Sequence, residues 1–176
     1  SAADLATVNG VTSVVVDAEA VTTLTGIVDD VQSAFFSGGV DLSDSVDVVI
    51  IDVFVDAADI NGLDAATSGT VTITNSTNIT GTAEDGADLV GSATIVTDDD
   101  YTVTLLAGFV DVADLLAIDA DTSGTIDATA VTTISGSITD VNTILASGGI
   151  NFDSDFNIEV EGPVTIAQIN ALDGQT

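Results

Sequence analysis

One stretch of nine residues has the spacing of a ligand set. Asp119-Ala120-Asp121-Thr122-Ser123-Gly124-Thr125-Ile126-Asp127 puts side-chain oxygens at positions 1, 3, 5 and 9, glycine at 6 and an aliphatic residue at 8, like the first nine positions of a helix-loop-helix calcium loop. Asp119, Asp121, Ser123 and Asp127 are therefore the candidate metal ligands, and Ca²⁺ is the ion they would take. The loop departs from that pattern at its twelfth position, where Ala130 stands in place of the bidentate Glu, and β-branched residues follow where a second helix belongs. The competing reading makes Thr122-Ser123-Gly124 a helix-to-strand turn with solvated acids around it. Asp98-Asp99-Asp100 is the densest charge run and reads either as a solvated turn or as a weak surface contact for Ca²⁺ or Mg²⁺. Asp41, Asp44 and Asp47, and later Asp153 and Asp155, decorate equivalent turns, which suggests a row of cation contacts along one edge.

The missing residues exclude more chemistry than these acids suggest. The chain has 29 Asp and Glu and no Lys, Arg or His, a formal charge of −29. Phosphate recognition needs cationic side chains, so nucleic acid and anionic membrane surfaces are not expected partners. Divalent cations are. Without His the commonest general base is gone, and without Cys there is no thiol nucleophile, disulfide or zinc-thiolate site. Paired carboxylates could hydrolyse glycosides, but only Glu19, Glu84, Glu159 and Glu161 are Glu, and the Asp-rich remainder recurs on caps and turns. The expectation is a non-enzyme. A carbohydrate- or surface-ligand-binding module is the alternative, and a single Tyr (Tyr101) with no Trp argues against sugar stacking.

The acids sit within a repeat. The phrase Asp111 to Ser137 has a related copy from Asp56 and a third from Ser1, and Thr165 to Thr176 opens a fourth. The repeats run 1–55, 56–110 and 111–164, with a partial copy at 165–176. Each divides into two halves of roughly 27 residues that read as strand, Gly, helix entry and short helix. Ser1/Asp4, Asp56/Asp59, Asp111/Asp114 and Thr165/Gln168 have capping-box spacing, as do Thr82/Asp85 and Ser137/Asp140, while Ile27 holds the corresponding cap in the first repeat. Apolar pairs follow: Leu5 and Val8, Ile60 and Leu63, Leu115 and Ile118, Ile169 and Leu172. The second helices carry Val31 and Phe35, Leu89 and Val90, and Val141, Ile144 and Leu145. Glycines at Gly38, Gly39, Gly91, Gly148 and Gly149 suit left-handed helix ends. Strands are expected at Thr70–Thr74, Tyr101–Leu106, Thr125–Asp127, Val131–Ser135 and Phe156–Val160, with Asp47–Val55 the longest.

Alternating strands and short helices predict an α/β fold. About six strand-helix coils would stack as a repeat solenoid, a parallel sheet on one side and short helices on the other, forming one domain over 1–176. Tandem β-sandwich modules are the alternative, with longer strands and few caps. At 45% hydrophobic residues the chain should fold, and its Asp-interrupted apolar runs are too short for membrane insertion. A start without Met and without a signal peptide reads as a mature or excised piece of something longer.

The phrases A-D-L-L-A-I-D-A-D-T-S-G-T-I-D-A-T-A-V-T-T-I-S-G-S and A-D-I-N-G-L-D-A-A-T-S-G-T-V-T-I-T resemble the tandem repeats of giant acidic cell-surface proteins of marine cyanobacteria, the swimming-motility giant protein type. That resemblance implies an extracellular or cell-surface setting rich in calcium. It also implies a structural or adhesive role in a layer, filament or adhesin, with copies of itself or further repeats of a longer chain as partners. The first repeat departs from it at V-N-G-V-T-S-V-V-V, where Thr12-Ser13 is followed by Val14 and not Gly.

Overall fold

The computed structural model describes residues 1–173, so positions 174–176 of the partial fourth copy lie outside the described residues. Its elements follow in chain order as α1 (Ala2–Val11), β1 (Val16–Ala18), β2 (Thr23–Gly26), α2 (Val28–Phe36), β3 (Val40–Leu42), β4 (Asp47–Ile50) and β5 (Phe54–Asp56). The chain continues through α3 (Ala57–Asp64), β6 (Val71–Thr72), β7 (Asn78–Gly81), α4 (Ala83–Gly91), β8 (Ile95–Val96), β9 (Thr102–Leu105) and β10 (Gly108–Asp111). It closes with α5 (Val112–Asp121), β11 (Ile126–Ala128), β12 (Val131–Ser137), α6 (Ile138–Ala146), β13 (Ile150–Phe152), β14 (Asn157–Glu161) and α7 (Ile166–Asp173). The chain divides into two compact units, Ser1–Asn78 with Ser92–Asp98, and Ile79–Gly91 with the chain from Asp99 onward.

Helix starts are set by hydroxyl caps. Ser1 and Asp4 form a reciprocal box. The Thr82 hydroxyl donates to Asp85 at 2.6 Å and accepts the Asp85 N–H, and Ser137 does the same with Asp140. Thr165 pairs likewise with Gln168. Asp56 and Asp111 cap by accepting the N–H of Ala58 and Ala113, and with no side-chain proton they cannot repeat the hydroxyl-to-carboxylate bond of Thr82 and Ser137. Ile27 offers no cap, and the Asp52 carboxylate takes its place by accepting the Val28 N–H at 2.8 Å.

Burial in five helices follows an i, i+3, i+6 stripe: Val28/Val31/Ala34, Ala57/Ile60/Leu63, Ala83/Gly86/Leu89, Val112/Leu115/Ile118 and Ile138/Val141/Ile144. Phe35, Val90 and Leu145 are only half-buried beside these stripes. At the chain's ends the expected stripe is incomplete. Leu5 is half-buried and Val8 is 47% exposed, and Ile169 is 44% exposed although Leu172 is buried. Of the glycines read as helix ends, only Gly38 has a left-handed φ, +70°.

Every strand pairing described is parallel, which removes the antiparallel sandwich alternative and supports an α/β fold. In the first unit β2, β4, β6 and β8 form one sheet and β1 pairs with β3. In the second, β7, β9, β11 and β13 form one ladder and β10, β12 and β14 another. Residues opposite each other include Val16 and Val40, Val48 and Val71, Val103 and Ile126, and Ile126 and Ile150. The ladder step between such partners is shorter than the half-repeat read from the sequence. The expected long strand Asp47–Val55 is broken into β4 and β5. The chain turns at residues 51–53, leaving Ile51, Val53 and Phe54 exposed and freeing Asp52 to cap α2, so β12, with seven residues, is the longest strand.

Buried stripe residues should carry the stability. Ile60→Ala and Leu115→Ala are each expected to cost about 2–5 kcal/mol, against less than about 0.5 kcal/mol for Val8→Ala. Urea unfolding midpoints measure the contrast, and equal effects at the three positions would contradict the burial pattern.

Candidate functional site

The candidate loop follows α5, and each of its oxygens has a separate partner. Asp119, in the last turn of α5, accepts the Ser147 hydroxyl, which lies 2.9 and 3.0 Å from its two carboxylate oxygens. Asp121 accepts the Tyr101 hydroxyl at 2.7 Å. The Ser123 hydroxyl donates to the Asp99 carbonyl at 2.9 Å. Asp127 accepts the Thr129 N–H at 3.0 Å and its hydroxyl at 2.6 Å, and these two bonds hold its carboxyl below the ordinary carboxylate value. Among the described residues no three carboxylates form a group that could hold a metal ion. Asp98, Asp99 and Asp100 lie exposed on the approach to β9, and Asp99 meets Ser123 through its backbone carbonyl.

Thr-Ser-Gly forms a clamp, made twice with the same bonds. Thr122 donates to the Tyr101 carbonyl at 2.5 Å and accepts the Gly124 N–H at 3.0 Å, while the Ser123 N–H reaches the Asp99 carbonyl at 2.8 Å. One repeat earlier Thr67 donates to the Val46 carbonyl at 2.7 Å and accepts the Gly69 N–H at 3.0 Å, and the Ser68 N–H reaches the Asp44 carbonyl at 2.7 Å. The glycines are needed because the neighbouring backbone passes directly over them. A Cβ at Gly69 or Gly124 would collide with the carbonyl oxygen of Val46 or Tyr101. The hydroxyls of Thr67 and Thr122 are buried and satisfied, so each joins two segments of backbone.

A second recurrent bond was not read from the sequence. A residue in the last turn of the first helix of each repeat holds the serine after the second helix: Asn9 with Ser37 at 3.4 Å, Asp64 with Ser92 at 2.9 Å and Asp119 with Ser147. Asp64 also accepts the Thr94 hydroxyl at 2.7 Å. The available signal was the recurrence of Ser37, Ser92 and Ser147 at the repeat spacing.

The second unit also carries a groove of about 540 Å³ whose lining includes Glu84, Asp88, Asp111, Asp114 and Phe109. Burial, with the charges of Asp111, Glu84 and Asp88, pushes the Asp114 carboxyl above its ordinary value. Phe109 is 62% exposed, whereas Tyr101 is 2% exposed and turned inward to Asp121. Burial raises the Tyr101 phenol, and the bond to Asp121 adds to the effect. The groove would attract cations and repel anions, and among its named polar residues it offers only carboxylates and one threonine hydroxyl. Compared with protein-family models, curated proteins and solved structures, the chain matches none.

Thr122→Val leaves the Tyr101 carbonyl and the Gly124 N–H without their hydroxyl and should cost about 1–3 kcal/mol. Gly124→Ala, which puts a methyl against backbone, should cost at least as much. An unchanged urea midpoint for both would refute the clamp.

Asp114 gives a pH test. A carboxyl raised by the fold destabilises the folded state where it is ionised and stops doing so once protonated. Asp114→Asn is expected to raise the unfolding midpoint at pH 7. The gain should shrink as pH falls through the raised folded value and vanish below the ordinary value of 3.8; a gain of the same size at pH 3 would show another cause.

Proposed function

We propose that this chain is a structural repeat segment of an extracellular surface layer, filament or adhesin, in which successive strand-helix coils stack as a solenoid and no reaction is catalysed. The observation that carries this reading is the recurrence, one repeat apart, of the same hydroxyl-to-backbone clamp at Thr67 and Thr122. The candidate ligand residues are engaged in joints or local caps: Asp119 in the bond to Ser147, Ser123 in the clamp, Asp121 on a buried tyrosine and Asp127 on its own turn. A scaffold whose polar residues mostly connect neighbouring segments acts through stiffness and length.

Cations enter through charge. A net −29 with no cationic side chain makes the folded chain repel itself, and the ions of a saline, calcium-containing medium relieve that repulsion. Ca²⁺ would bridge the acidic turns that include Asp98, Asp99 and Asp100. Partners are further repeats or copies of the same chain, and the charge disfavours nucleic acid. No helix among the described residues is long and apolar enough to cross a membrane. A surface-ligand module is the second reading, favoured by the exposed Phe109 ring in its groove, and a glycan array tests it.

Two measurements test the main reading. Small-angle scattering of the monomer should give the pair-distance profile of an elongated particle, and a globular profile would sink the solenoid. The melting temperature should rise with NaCl, and rise further with Ca²⁺ at matched ionic strength. Equal effects of the two salts would remove the calcium bridges and leave screening alone.

A further inference from the structure

The groove of the second unit has a counterpart one repeat earlier. Glu84, Asp88, Phe109, Asp111 and Asp114 stand at the places of Asp29, Ser33, Phe54, Asp56 and Asp59. Phe54 and Phe109 are both exposed, at 72% and 62%. In the first repeat Asp59 is answered from within the chain, because the side-chain amide of Gln32 on α2 donates to it at 2.8 Å. That bond shows the chemistry the position takes, a planar N–H donor.

The second repeat differs at two positions, and both differences call for a cation. Ala87 stands on α4 where α2 has Gln32, so the donor is gone, and Asp88 adds a carboxylate where α2 has Ser33. Asp114 is half-buried, the charges of Asp111, Glu84 and Asp88 act on it, and no donor among the described residues offsets them. The groove beside these residues, about 540 Å³, falls within the roughly 300–1,000 Å³ of small-ligand sites. Its acids do not converge on one point, since among the described residues no three form a group that could hold a metal ion.

The occupant must therefore carry positive charge, offer N–H donors to separated carboxylates and lie against an aromatic ring. A guanidinium meets all three demands: it is planar like the Gln32 amide, has donors on several edges, is weakly hydrated and stacks on aromatic faces. An ammonium is a compact, strongly hydrated point charge. A second copy of the chain cannot supply either group, because its 176 residues include no Lys or Arg. The groove is larger than a charged head alone, which leaves room for an aliphatic stem and adjoining peptide. We propose that the groove lined by Glu84, Asp88, Phe109 and Asp114 is a docking site for an arginine side chain on a segment of another protein. The inference does not depend on the stacked-coil reading, since the groove lies within the second unit.

The experiment follows backbone amide shifts of the full isotope-labelled chain during titration with the capped peptide acetyl-Gly-Arg-Gly-amide. It is run at about 0.15 M NaCl, where the Debye length is about 8 Å and distant acids are screened. Saturable shifts should centre on Glu84, Asp88, Phe109 and Asp114. The citrulline peptide, with the same shape and no charge, should produce none, and the lysine peptide should bind more weakly. Ala87→Gln, which places the first repeat's amide beside Asp114, and Asp114→Asn should each weaken binding about tenfold, the worth of one charge-assisted bond. Ala87→Gln copies a side chain that α2 already accommodates, so the fold should be kept. Binding unchanged by Ala87→Gln, equal binding of the lysine peptide, or shifts spread over every acidic turn overturns the site. Methylguanidinium that binds as tightly as the arginine peptide overturns the protein segment as the occupant and leaves a site for small guanidino compounds.

Discussion

A chain with no cationic side chain must hold its carboxylates and join its segments with neutral donors. The one ion pair among the described residues is that of the Ser1 amino group with Asp4, at 3.3 Å on the surface. Elsewhere the anchoring donors are hydroxyls, amides and backbone N–H groups: Ser147 on Asp119, Ser92 and Thr94 on Asp64, Tyr101 on Asp121, and the Val28 N–H on Asp52. Bonds to a charged acceptor contribute roughly 1.5–3 kcal/mol each, more than neutral ones, so an acid-rich chain supplied with Ser and Thr can be stapled without salt bridges. That constraint accounts for hydroxyl residues at helix starts, in the clamps and after the second helices.

The same constraint decides what the sequence discloses. Caps were readable because donor and acceptor lie three residues apart, and five apolar stripes were readable in large part because helical period is local. The clamp was half-readable. Alternating oxygens around a glycine are what a calcium loop needs and also what a Thr-Ser-Gly turn leaves behind, and only the carbonyls of Val46 and Tyr101, 21 residues before Thr67 and Thr122, separate the two. The Asp119–Ser147 bond spans 28 residues and has no local signature. The break at residues 51–53 was hidden for a similar reason, since an apolar run looks continuous until Asp52 is seen capping a helix 24 residues earlier.

The difference between sequence period and ladder step has structural consequences. Two ladder steps, from Val103 through Ile126 to Ile150, take up less chain than one full repeat, so a strand and its equivalent one repeat later do not follow each other in one ladder. β2 leads to β4, β6 and β8, whereas its equivalent β7 leads to β9, β11 and β13. Equivalent positions thus keep equivalent lateral neighbours, Val48 facing Val71 as Val103 faces Ile126. Val48 faces Val71, which in turn faces Ile95, so the β-branched surface is kept while residue identity drifts. Conserving apolar character and not identity is what parallel ladders buried on one face require.

Charge sets the remaining limit. Asp17 and Asp41 lie directly opposite each other across β1 and β3, and neighbouring strands are about 4.8 Å apart. At ordinary ionic strength the Debye length is about 8 Å, so added salt screens the distant acids well before it screens this pair. Close pairs have to be relieved locally, by a hydrogen bond to each carboxylate or by a cation held at the turn. The Glu19 N–H supplies such a bond to Asp17 at 3.2 Å, and Thr70 supplies two to Asp47, holding that carboxyl below its ordinary value. A parallel ladder can therefore carry acids on successive strands provided each has a hydroxyl or amide within one turn, and where that donor is missing the medium must provide the cation.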